Sequence, residues 1–91
     1  MFRHSNTNAS GKAFDAALIE AVWSKAAPSV DHPPLRVDPY GALIWRGGYG
    51  NTESRLGWEI GHKLPVSRGG GDELENLVPL QWENNRRNGY D

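Results

Sequence analysis

The sequence predicts a small α+β domain in which an N-terminal helix and a short strand precede a strand, loop, strand, helix unit at about residues 57–91. Three observations predict it. Phe14, Ala17, Leu18, Ala21 and Val22 recur at intervals of three and four, the period of one helical face. Two strand-like runs, Trp58 to Val66 and Asn76 to Leu80, flank the polar stretch SRGGGDELE, so they read as strands joined by a loop of about ten residues. A proline-rich stretch over residues 27–40 keeps the helix and the strands apart.

Each element has a local reason. Residues 1–12, MFRHSNTNASGK, contain no hydrophobic stretch for a secretory signal and read as a flexible polar tail, leaving residues 13–91 as one domain. The helix is expected from Ala13 to about Ala26, with Asp15 in its first turn and Pro28 stopping it. Ile19 and Trp23 widen its apolar stripe, so it should lie as a lid over the core, and it carries no evident chemistry. Residues 27–40, APSVDHPPLRVDPY, hold four prolines that remove backbone donors, so a long irregular connection is expected. Asp38-Pro39-Tyr40-Gly41 suits a type I turn, and a strand from Ala42 to Arg46 should follow until Gly47, Gly48 and Gly50 break it. Pro79 cannot donate to a ladder, which places the last strand at an edge or end near it. Trp82 to Asn88 is a short terminal helix.

The 91-residue chain has room for one core, since a domain of this size buries only about 60% of its unfolded surface. Cysteine is absent, which excludes disulfides, Cys-type zinc sites and thiol nucleophiles and is compatible with the cytoplasm. Trp23, Trp45, Trp58 and Trp82 are the expected large packing units. The formal charge of −1 lacks the basic excess of most nucleic-acid binders. A local positive patch needs no such excess, and Lys63, Arg68, Arg86 and Arg87 all fall in the last thirty residues. No apolar run reaches the roughly 20 residues of a membrane span.

Within the last unit, His62, Asn76 and Asn85 stand fourteen and nine residues apart. Hydrolysis of a phosphodiester needs a base for water and a cation for the developing charge. Histidine suits the first role near neutral pH, and an amide oxygen such as that of Asn85 suits a hard cation. Asn76 has donors and acceptors enough to tie a long loop to the strand bearing His62.

These residues, with Pro65, the run Gly69 to Asp72 and Asn76-Leu77, resemble the ββα-metal core of HNH endonucleases (the His-Me finger fold), in small bacterial or phage form. The resemblance implies a DNA endonuclease acting on duplex DNA with one divalent metal, Mg²⁺ first and Mn²⁺, Ni²⁺ or Zn²⁺ as alternatives. It implies no membrane and no small-molecule cofactor, and products with a 5′-phosphate and a 3′-hydroxyl. His62 would be the general base, Asn76 the residue that buttresses the loop and Asn85 a metal ligand. Lys63, Arg68, Arg86 and Arg87 would contact nucleic acid.

Gly61 departs from the pattern, since the family carries a metal-binding aspartate before the histidine. Activity is therefore expected to be weakened or abolished. The chain is a weak relative, holds its ion through another group such as Glu59, Asp31, His32 or Glu83, or carries an inactivating change at residue 61. A non-catalytic nucleic-acid-binding module of the same fold is the alternative function. A nuclease toxin or effector domain with an immunity or regulatory protein is another.

Overall fold

The computed structural model describes residues 3–91 and shows an α+β domain with two separate antiparallel sheets. Its N-terminal helix, α1 (Ala16–Trp23), is shorter at both ends than the apolar period suggested. Asp15 has an extended backbone and its carboxylate accepts the Leu18 N–H at 2.8 Å, so it caps the helix from outside the first turn. Ala17, on the expected inner face, is exposed, whereas Ile19 and Trp23 join Leu18 and Val22 against the core. The buried stripe is thus rotated toward the two bulky residues, which have far more apolar surface to remove from water than an alanine.

The proline-rich stretch is not the irregular connection expected of it. β1 (Ala27–Pro28) pairs with β2 (Arg36–Val37), and β2 pairs with β3 (Leu43–Ile44), all antiparallel. The strands stay at two residues each in a stretch where prolines withhold donors. The turn at Asp38 forms as expected: Gly41 N–H reaches Asp38 O at 2.9 Å, and Gly41 adopts a φ of 88°, where a side chain would be strained. Asp38 also acts at long range. Its buried carboxylate accepts from Tyr40 N, Ala42 N, Gln81 N and Asn84 Nδ2, which ties this small sheet to the end of the second one. β3 ends earlier than Arg46 because Arg46–Gly48 coils into a 3₁₀ turn.

β4 (Trp58–His62) and β5 (Leu77–Gln81) make the second sheet, with Trp58 opposite Gln81 and His62 opposite Leu77. Pro79 sits in the middle of β5, opposite Ile60. The Ile60 N–H points away from β5 to Asn6 Oδ1 at 2.8 Å, so this is a pair without ladder bonds and the missing proline donor costs nothing. α2 (Trp82–Arg87) follows directly, capped by the Gln81 side chain, which accepts from Glu83 N and Asn84 N.

Trp58 and Ile60 face α1 in a core shared with Phe14, Val22, Trp23, Ala26, Ile44 and Leu77. The Trp23 and Trp58 rings lie 5.2 Å apart, and Tyr49 meets Trp58 edge-on at 4.9 Å. The other two tryptophans stand outside that core. Trp82 is half-buried with its indole N–H on Ser54 O, and Trp45 is 50% exposed.

Residues 3–12, expected to form a polar tail, are hydrogen-bonded to the domain. Asn6 Oδ1 accepts the Tyr49 hydroxyl as well as Ile60 N, Ala9 N donates to Asp72, and Ser5 Oγ bonds Asp91 Oδ1 at 3.2 Å. This segment covers the edge of β4 that β5 leaves open. Among the described residues no helix is long and apolar enough to cross a membrane.

Candidate functional site

Strand alternation divides the site at its source. Glu59 and Gly61 turn toward α2, while His62 shares the side of Trp58 and Ile60. The His62 ring is 1% exposed and lies 6.0 Å from Phe14, centroid to centroid. Its Nε2 is 2.9 Å from Asp72 Oδ1, and both Asp72 oxygens also take the Ala9 N–H at 3.1 Å. An ionised carboxylate can only accept, so in the neutral ring Nε2 carries the proton and Nδ1 keeps the lone pair.

Asn76 bonds across the loop that follows β4. Its Oδ1 accepts Leu64 N at 2.8 Å, and its Nδ2 donates to Leu64 O at 3.1 Å and to Gly71 O at 2.9 Å. Three bonds from one carboxamide close the loop between β4 and β5. Gly70 fits beneath them because a Cβ there would overlap the Leu64 carbonyl.

Asn85, also 1% exposed, reaches back from α2 to β4. Its Nδ2 donates to Glu59 Oε1 at 2.9 Å, and its Oδ1 is buried with no donor among the described residues. A Cβ built on Gly61 would stand 2.5 Å from that oxygen, 2.7 Å from Tyr90 Cβ and 3.0 Å from Leu80 Cδ1. Residue 61 therefore borders Asn85, yet the space in which a larger side chain would extend is taken. Tyr90 is held there by its own backbone, which accepts the His62 N–H at 2.6 Å and donates to Asn85 O at 3.3 Å.

The four cations separate into two groups. Arg86 is committed to the buried Glu59, with Nη2 2.8 Å from Oε2, and stacks 5.6 Å over Trp82. The Glu59 hydrogen bond raises its pKa, and an arginine so held braces α2 while its side chain stays 48% exposed. Lys63, Arg68 and Arg87 are exposed and make no ion pair among the described residues.

His62, Asn76 and Asn85 thus gather around one end of β4 without lining a common open cleft. His62 and Asn85 lie on opposite sides of the strand, and both are buried. Asp31, His32 and Glu83 are exposed, and no group of three His, Cys, Asp or Glu able to hold a metal occurs among the described residues. Two residues with no role assigned from the sequence matter most here: Asp72, which binds the histidine, and Lys25, whose ammonium caps the Leu74 and Leu77 carbonyls. Asp72 had a legible signal, since a histidine on a core-facing strand position needs a polar partner from a nearby loop. Lys25 had none, because its role depends on where β5 passes. Compared with known proteins, the chain matches no family model, no curated protein and no solved structure.

Proposed function

We propose that the protein is a DNA endonuclease of the HNH type, with turnover lowered by Gly61 and by the closed state of its site. The observation that carries this reading is the undonated Oδ1 of Asn85 beside Gly61. A buried acceptor without a donor costs about 1–3 kcal/mol, and an amide oxygen is a ligand type that hard divalent cations take. The groups that would hold an ion are Asn85 Oδ1 and, on the same face, the Glu59 carboxylate, whose oxygens Asn85 Nδ2 and Arg86 already engage. A bound Mg²⁺ or Mn²⁺ would supply charge neutralisation there, on the side of β4 away from the His62 ring, so the end of the strand must open before ion and base can serve one phosphate.

The remaining chemistry belongs to the chain. His62 accepts a proton from water at Nδ1, while Asp72 holds the proton on Nε2 and fixes the ring plane. Asn76 keeps the loop that delivers Asp72 at a constant distance from β4. Substrate reaches Nδ1 only when the cover over the ring, which includes Phe14 and the Ala9 link to Asp72, moves aside.

A non-catalytic nucleic-acid-binding module is favoured by a different observation: the ring is sealed and Glu59 is already neutralised by Arg86. A plasmid-nicking assay with Mg²⁺, Mn²⁺ or Ni²⁺ separates the two. Metal-dependent nicking lost in His62→Ala is the result expected of the endonuclease. Salt-sensitive DNA binding with no nicking under any metal would refute the enzyme and leave the module.

A further inference from the structure

Beside the hairpin lies a cavity of about 430 Å³ whose wall includes Lys25, Lys63, Ala27, Val37, Val78 and Pro79. Its two lysines differ in kind. Lys25 is pinned: its Nζ donates to Leu74 O at 2.7 Å and to Leu77 O, which leaves one of three ammonium protons free. Lys63 is exposed and makes no ion pair among the described residues. Two cations line one space with no carboxylate ion-paired to either among the described residues, so their charges repel, and an anion between them would relieve that repulsion. Consistent with that, burial and then the Lys63 charge hold the Lys25 pKa below its usual value, against a smaller opposing effect of Glu75. Asp38 also lines the cavity, but its oxygens already accept four hydrogen bonds.

We propose that this cavity binds a phosphate oxyanion held between Lys25 and Lys63. Its position gives the source, on the endonuclease reading: Lys63 follows His62 in the chain, and Leu77, whose carbonyl holds Lys25, is the strand partner of His62. A backbone phosphate seated here lies at the His62 end of the hairpin and fixes the register of the DNA there. The pinned ammonium supplies a point charge that needs little ordering, and the exposed Lys63 supplies the second charge.

The test uses the full chain with lysine side chains isotopically labelled for NMR. Inorganic phosphate should shift the Lys25 and Lys63 side-chain signals together, and Lys63→Glu should abolish the shift at Lys25 while the fold melts at an unchanged temperature. In parallel, binding of a short labelled DNA duplex is followed across salt concentrations. Lys63→Gln should flatten the log–log salt dependence by about one unit if a backbone phosphate occupies the site. Shifts with phosphate but an unaltered DNA salt slope would support the anion site and refute its occupation by DNA. No shift of either lysine with phosphate or duplex would overturn the proposal. A parent chain that binds no DNA would sink the endonuclease reading alone, since the phosphate arm is read without it.

Discussion

Substitution of Gly61 tests how closely Asn85 and Tyr90 pack against β4. On the endonuclease reading proposed above, an aspartate at residue 61 would add a metal ligand. Read from the structure, even a methyl group there meets Asn85 Oδ1 at 2.5 Å and Tyr90 Cβ at 2.7 Å. Overpacking of this kind costs about 1–3 kcal/mol, and replacing glycine returns about 0.4–1 kcal/mol through a less disordered unfolded chain. Gly61→Ala should therefore lose about 1–2 kcal/mol, a fall of roughly 5–15 °C in Tm for a domain of this size. Gly61→Asp adds a second carboxylate beside Glu59, which is 2% exposed and whose one cation, Arg86, is already bound. An unpaired buried charge costs several kcal/mol more, so this variant comes near the whole stability of such a domain, about 5–14 kcal/mol. A divalent cation that bridges the new aspartate and Asn85 Oδ1 should recover part of the loss, in proportion to its concentration. Thermal melts of parent, Ala and Asp variants with and without Mn²⁺ read all of this. A Gly61→Ala protein that melts within about 2 °C of the parent would refute the steric argument.

Further outcomes follow from single side chains. Asn76→Ala removes three hydrogen bonds from a half-buried carboxamide, and urea unfolding should show a loss of about 1–3 kcal/mol, with an intact urea dependence. Asp38→Ala strands four donors, two of them from β5 and α2, so a loss of about 3–5 kcal/mol is expected in the same assay, with Asp38→Asn intermediate. Burial raises the Tyr49 pKa above 10.0, so the unfolded chain releases this proton first. The Tyr49 contribution to stability is then whole below about pH 10 and lost as pH climbs through the raised folded value, and the alkaline limb should be shallower in Tyr49→Phe.

The elements legible in the sequence are those whose signal is local. β4, β5 and α2 lie within a few residues of expectation because strand composition, a Gly-rich loop and a terminal helix are local patterns. The turn at Asp38 was legible for the same reason. The small sheet of β1, β2 and β3 was not, since its strands are two residues long and are held by pairing that leaves no trace in periodicity. The bonds that Asn76 makes across the loop were legible, because closing a loop needs only the right functional groups at the loop end. His62 was legible as a residue and not as an environment. Its burial depends on Phe14 and on the Ala9 link to Asp72, both far from it in sequence.

That environment bears directly on function, because the two sides of β4 are closed by different parts of the chain. On one, Ala9 and Phe14 seal the imidazole through Asp72 and ring contact. On the other, Tyr90 fills the space next to Gly61 and Asn85. Both covers use bonds at the strand's outer edge, Ile60 N to Asn6 and His62 N to Tyr90 O, which are hydrogen bonds that water can replace at modest net cost. The hairpin, its Asn76 clamp and the Glu59–Arg86 brace do not depend on those edge bonds. A rigid hairpin with two removable covers can open without unfolding, so hydrogen exchange at Ile60 and His62 should run faster than at Glu59 and Gly61, whose ladder bonds to β5 stay closed. Equal protection at all four amides would mean that the covers and the hairpin open only together, and that the sealed histidine is a structural one.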